Sequence, residues 1–183
     1  MNWILPGTTL EVPRSDADRT PELFHPMFLT GGMMLSQIIH ITGLETHTIQ
    51  NWVKRGYLSP PVAKRYDMEQ VCRILNINLL RGALPLERIC TLMQYINGNL
   101  ADENDDLIDD TVLYFMFVRL AARARHLNDT AQWEAAIDTV MADYHEPIPG
   151  AKERIIKVLR IMLTAWISAR LRQSAEKMVS ELE

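Results

Sequence analysis

Glycine and proline decide most of what this chain can become. Pro6, Pro13, Pro21 and Pro26 interrupt the N-terminal stretch, Gly43 and Gly56 bracket a short segment, Pro60 and Pro61 stand together, and Gly82 and Gly98 close later pieces. Proline removes a backbone donor and clashes with the preceding turn, and glycine accepts the left-handed conformation in which helices end. No helix or strand can therefore extend far in residues 1 to about 30. Beyond Gly150 neither residue occurs, so the chain is free to form one helix from about Ala151 to Met178, roughly 40 Å long at 1.5 Å per residue.

Periodicity fills these intervals with helix. Leu35, Ile38, Ile39 and Ile41 recur at helical spacing before Gly43, and Ile49, Trp52 and Val53 mark one face of a second helix that starts after Glu45 or Thr46. The run from Tyr57 to Tyr66 holds the proline pair between β-formers and predicts a small two-stranded wing. Asp67 then caps a helix carrying Val71, Ile74, Leu75 and Asn78, with Gln70 in the capping-box position, and Leu86, Ile89, Met93 and Ile96 predict another that ends at Gly98. Val112, Phe115 and Met116 predict a helix with Arg119, Arg123 and Arg125 in its last turns. Asp129 or Thr130 caps the next, whose apolar positions Trp133, Ile137, Val140, Met141 and Tyr144 make it amphipathic. The middle of the last helix, Ile155 to Ile167, is apolar on almost every side and reads as a spine or a subunit contact.

The expected organisation is mainly α. An N-terminal arm at 1–29 packs on a winged helix-turn-helix domain at 30–98, which has a small β wing; an acidic linker follows at 99–110, then an all-α unit at 111–183. The chain has 183 residues, 48% hydrophobic and 23% charged, enough for a real core. The two cysteines, Cys72 and Cys90, are too few for a disulfide framework, and the opening residues have no signal-peptide pattern. A cytoplasmic protein is expected. The longest uncharged apolar stretch of the C-terminal half, Ile161 to Ala169, falls well short of the roughly 18 to 20 residues of a bilayer span, so no membrane partner is expected.

The net charge of −4 conceals a strong polarity. From Thr46 to Tyr66 the chain carries Lys54, Arg55, Lys64 and Arg65 and no acid, whereas the acids from Asn99 to Asp110 are Asp102, Glu103, Asp105, Asp106, Asp109 and Asp110 with no base. A phosphate backbone feels the local field, so an acidic protein can still present one basic face to nucleic acid.

That face coincides with the short second helix. Thr46, His47, Gln50, Asn51, Lys54 and Arg55 fall opposite Ile49, Trp52 and Val53, and the wing follows with Lys64 and Arg65. A helix of this size fits the major groove, where Gln and Asn can pair with the edge of adenine and Lys and Arg neutralise phosphates. Helix 46–55 in the groove and wing 57–66 on the backbone make double-stranded DNA the expected partner. With both subunits of a dimer engaged, the four basic residues give up to eight phosphate contacts and a log-log salt slope of about −7.

The segment Leu35-Ser36-Gln37 to Gly43-Leu44, with Thr48-Ile49-Gln50-Asn51-Trp52-Val53-Lys54-Arg55-Gly56-Tyr57-Leu58, resembles the opening of the MerR-type DNA-binding domain. Lys64-Arg65-Tyr66-Asp67 and Leu84-Pro85-Leu86-Glu87-Arg88-Ile89 fall where that domain has its wing end and fourth helix. The resemblance covers about residues 34 to 96 and implies a dimeric transcription regulator. Gln50 stands where that family usually has arginine, and Asn51 where it has an aromatic residue. More narrowly, Asn51-Trp52-Val53-Lys54-Arg55-Gly56 with Pro60-Pro61-Val62-Ala63-Lys64-Arg65-Tyr66 is similar to the bacterial domain-of-unknown-function family eighteen thirty-six, from about Leu29 to Tyr114.

Other chemistry finds little support in the residues. Cys72, Cys90 and Trp52 sit at core spacing, and His25, His40, His47, His126 and His145 are scattered without metal-ligand spacing. There is no nucleophile elbow, phosphate loop or dinucleotide fingerprint, so neither an enzyme nor a cofactor is expected. The acidic run lacks the alternation and central glycine of a calcium loop and reads as a solvated linker. A homodimer through the C-terminal helices is expected. The alternative is a non-enzymatic adaptor that uses the helix-turn-helix to dock protein.

Overall fold

The computed structural model describes residues 2–98, 106–124 and 130–182, and they form a mainly helical protein with two small antiparallel sheets. Strands β1 (Asn2–Ile4) and β2 (Glu11–Pro13) pair as a hairpin, followed by two 3-10 turns flanking α1 (Thr20–Phe24). Strand β3 (Met33–Met34) leads into α2 (Leu35–Thr42) and α3 (Thr46–Lys54), and β4 (Arg65–Tyr66) into α4 (Met68–Leu80) and α5 (Leu86–Asn97). The rest is α6 (Asp110–Arg123), α7 (Thr130–Val140) and α8 (Ala151–Ser180).

Several helix ends form where their residues require. Gly43 ends α2 in the left-handed conformation, at φ 67°. Asp67 accepts from the Gln70 N–H at 2.8 Å while the Gln70 side chain accepts from the Asp67 N–H at 3.0 Å, a reciprocal capping box on α4. Helix α5 stops at Asn97, just before Gly98.

The spine of the molecule is α6, not the middle of α8. Leu113, Tyr114, Phe115, Met116, Phe117, Val118 and Leu120 are all buried, enclosed by α4, α7, α8 and the N-terminal arm. On α8 the buried residues Ile155, Val158, Leu159, Met162, Leu163, Trp166 and Ala169 recur at helical spacing, while Lys157, Arg160, Ile161 and Thr164 face solvent. The apolar run is one broad face with polar residues interleaved, and every residue from Arg170 to Leu182 is exposed. The α7 helix ends at Val140, short of Met141 and Tyr144; the Tyr144 hydroxyl leaves the helix to donate to the Leu107 carbonyl at 2.7 Å.

The arm docks mainly on α6 rather than on the segment after it. Arg14 donates from Nε to Ala122 O at 3.0 Å and from Nη2 to Ala121 O at 2.9 Å, satisfying carbonyls at the C-terminal end of α6 that have no helical partner. The Tyr114 hydroxyl donates to Pro6 O at 3.0 Å, and Phe24 packs against the Tyr114 and Phe115 rings.

Residues 30–98 and 111–183, expected as separate units, share one hydrophobic core, and α4 packs directly on α6. The acidic run is not solvated throughout. Residues 99–105 lie outside the described residues, but Leu107 and Ile108 are buried, Asp109 caps α6 by accepting from Thr111 N and Val112 N, and Asp110 is 2% exposed. The Asp110 carboxylate accepts from Arg73 Nη1 at 2.8 Å and from Asn76 Nδ2 at 3.2 Å, while Arg73 Nε donates to Tyr57 O at 2.9 Å. Burial pushes the Asp110 carboxyl above its usual range, against the opposing pull of Arg73 and Asn76. Cys72 and Cys90 are buried and unpaired, and burial raises both thiols.

Among the described residues no helix is long and apolar enough to cross a membrane, and no cluster of His, Cys, Asp or Glu could hold a metal ion. Arg125, His126 and Asp129 lie outside the described residues.

Candidate nucleic-acid interface

Helix α3 buries Ile49 and Trp52 against the core and turns its remaining face outward. At 100° per residue, Thr46, Gln50, Lys54, His47, Asn51 and Arg55 sweep half the circumference, and all six are exposed. Trp52, 4% exposed, is core support rather than a stacking surface.

The wing differs from the expected pair of strands within 57–66. Strand β4 pairs with β3, which precedes α2, in the register Met33↔Tyr66 and Met34↔Arg65. Only the bridge Val62↔Arg65 lies within the wing itself. Gly32, at φ 110°, permits the β3–β4 approach, since a Cβ there would lie 2.6 Å from the Tyr66 carbonyl oxygen. At the tip, Val62 and Arg65 exchange both backbone hydrogen bonds, at 3.0 and 2.9 Å, around Ala63 and Lys64, whose φ angles are 48° and 64°. Two consecutive left-handed residues match the right-handed twist of a tight hairpin, but such turns favour Asn and Gly, so Ala-Lys carries no sequence signal for one. The wing base is tied to α4, where Gln70 Nε2 donates to Ser59 Oγ at 2.9 Å and to Pro60 O at 3.0 Å.

The eight candidate residues divide by what they touch. Thr46, Gln50, Asn51, Lys54 and Lys64 have no side-chain hydrogen bond or ion pair among the described residues, whereas three others do. His47 Nδ1 lies 3.0 Å from Glu45 Oε2. Arg55 Nη2 donates to Glu87 Oε1 at 2.8 Å, its guanidinium lying 4.9 Å from the Tyr57 ring centroid, and that hydrogen bond holds the Glu87 carboxyl below its usual range. Arg65 Nη1 donates to Gly32 O at 2.8 Å and to Thr30 Oγ1 at 3.4 Å, which makes this half-buried side chain a strut between the wing and the segment before α2. Sequence spacing gives no hint of that engagement, because Glu87, Gly32 and Thr30 are brought in by the tertiary fold.

Gln50 of α3 and Lys64 of the wing line one open groove of about 390 Å³, whose walls include Leu35, Val53, Pro61 and Tyr66. The fold thus joins the polar face of α3 to the wing tip on one side of the molecule. Residues 30–117 match the family model of DUF1836, a domain of unknown function. The matched segment runs from before β3 into α6 and so contains the α3 face, the wing and both partners of the Arg73–Asp110 pair. The chain is also similar to the uncharacterized protein YkrK of Bacillus subtilis (strain 168), with 21% identity over 160 residues that cover 81% of this chain and 69% of that protein. No solved structure matches the chain.

Proposed function

We propose that this chain is a non-enzymatic, cytoplasmic transcription regulator that binds double-stranded DNA through a MerR-like winged helix-turn-helix, α2 and α3 with the wing at 57–66. The observation that carries the proposal is the groove shared by Gln50 and Lys64, beside an α3 face whose Thr46, Gln50, Asn51 and Lys54 are exposed and unengaged among the described residues. Side chains that hold nothing inside the protein are free to meet a base edge or a phosphate. Gln50 and Asn51 read bases, and Lys54 and Lys64 position the backbone. Arg55 and Arg65 are committed to Glu87 and to the Gly32 carbonyl, so the phosphate contacts rest first on the two lysines.

The protein acts as a dimer that reads two half-sites. The dimer seam lies on the outer third of α8, where Leu171, Ala175 and Met178 follow the spacing of a coiled-coil edge and Leu171 and Met178 are 51% and 61% exposed. A gel shift against fragmented genomic DNA at low salt tests the assignment; retention supports it and free passage of all fragments removes it. Gln50→Ala and Asn51→Ala each lower affinity for the preferred site by about 1 to 3 kcal/mol and change which sequences are selected. Lys64→Ala weakens all sequences alike.

The apolar walls of the groove, Leu35, Val53 and Pro61, favour a second reading in which the same surface docks a protein segment. Salt separates the two, because phosphate contacts release counterions and apolar docking does not.

A further inference from the structure

A second cleft lies away from α3. It occupies about 470 Å³ between the N-terminal hairpin, the C-terminal end of α4 and the outer face of α8. Arg81, Arg170 and Arg172 stand on its walls with Thr8 and Asn78, and no Asp or Glu among the described residues lines it. In a chain of net charge −4 that concentration is unexpected, since like charges gathered in a concave site repel one another unless an anion joins them.

The arginines are weakly engaged elsewhere. Arg170 lies with its guanidinium 4.9 Å from the Trp166 ring centroid, a contact that uses the flat face of the group and leaves its N–H donors at the edge. Arg172 Nε is 3.6 Å from Glu176 Oε1 on the exposed face of the same helix, too long for a good hydrogen bond. Arg81 follows the last residue of α4 and is exposed. The floor is fixed: a Cβ on Gly82 would lie 2.9 Å from that of Ala169, and Asn78 donates to Gly7 O at 2.8 Å, locking the hairpin to α4.

We propose that this cleft binds a small phosphate-bearing anion. Guanidinium forks match phosphate oxygens in pairs, and the volume falls within the roughly 300 to 1,000 Å³ of small-molecule sites, large enough for an organic phosphate rather than a bare ion. The apolar seam at Leu171 and Met178 lies on the opposite side of α8 from Trp166, Arg170 and Gln173, while Arg172 stands between the two faces, so Arg170 is clear of a second subunit and Arg172 borders it. The proposal does not rest on DNA binding by α3.

Calorimetric titration of the full chain with pyrophosphate and with ATP, at a constant salt of about 0.15 M, is the test. Saturable binding is expected, weakened at least about tenfold in Arg81→Gln/Arg170→Gln/Arg172→Gln and unchanged in Lys54→Gln/Lys64→Gln. All three arginines are exposed, so the triple variant keeps the fold, which a thermal melt verifies. No saturable binding, or equal affinity in the arginine variant, overturns the proposal. Phosphate on a nucleic-acid backbone is the competing source of the same chemistry: if the arginine variant loses affinity for duplex DNA while pyrophosphate and ATP never bind, the cleft is a backbone contact and the small-anion assignment fails.

Discussion

Two regions of this molecule use the same kinds of side chain to opposite ends. At the α4–α6 contact, Arg73, Asn76 and Asp110 are buried and bonded to one another, with Arg73 also reaching the Tyr57 carbonyl at the foot of the wing. On the α3 face and wing tip, Gln50, Asn51, Lys54 and Lys64 are exposed and bonded to nothing among the described residues. A buried ion pair is costly to break because the survivor is left charged in a poor solvent, whereas an exposed cation contributes little until a partner arrives. Stability and binding should therefore be separable by substitution: one region sets whether the chain folds, the other what it meets.

Breaking the buried region gives the largest effect. Asp110→Ala strands Arg73 and costs about 3 to 5 kcal/mol in urea denaturation, and replacing both partners, Arg73→Met with Asp110→Leu, recovers much of it. The exposed region responds in the other observable. Lys54→Gln/Lys64→Gln leaves the denaturation midpoint in place but makes the salt slope of DNA binding shallower by about 0.9 for each phosphate that is no longer neutralised. Leu171→Lys with Met178→Lys disrupts the proposed dimer, giving the mass of a single, still folded chain by light scattering. At the wing tip, Ala63→Asn relieves part of the left-handed strain and raises stability by about 0.5 to 1 kcal/mol. The smallest effect comes from Glu87→Gln, which releases Arg55 from its carboxylate, leaves the melt unmoved and steepens the DNA salt slope.

Much of the exposed region was legible because it is local. The polar face of α3, the Gly43 turn and the Asp67–Gln70 box each depend on residues a few places apart, and periodicity or capping chemistry finds them. The buried region was not legible. Asp110 ends an acidic run that reads as solvated linker, and nothing in its neighbours announces Arg73, which reaches it only because α4 and α6 pack together. The strand partner of Arg65–Tyr66 was hidden for the same reason, since Met33–Met34 precedes two helices and is too short to carry an alternation. The apolar density of α8 suggests a helix covered on every side; interleaved Lys157, Arg160 and Thr164 leave it one face, and the enclosed helix is α6.

Whether α3 and the wing meet DNA is read from the salt dependence of duplex binding by the full chain. Fluorescence anisotropy on a labelled duplex selected from genomic fragments gives the affinity at each salt concentration. With Lys54 and Lys64 of each subunit of a dimer on phosphates, the log-log slope is about −3.6, and it becomes shallower in Lys54→Gln/Lys64→Gln. Binding that ignores salt, or the absence of any binding at low salt, rules out phosphate contacts by Lys54 and Lys64 and leaves the groove between Gln50 and Lys64 as a protein-docking surface.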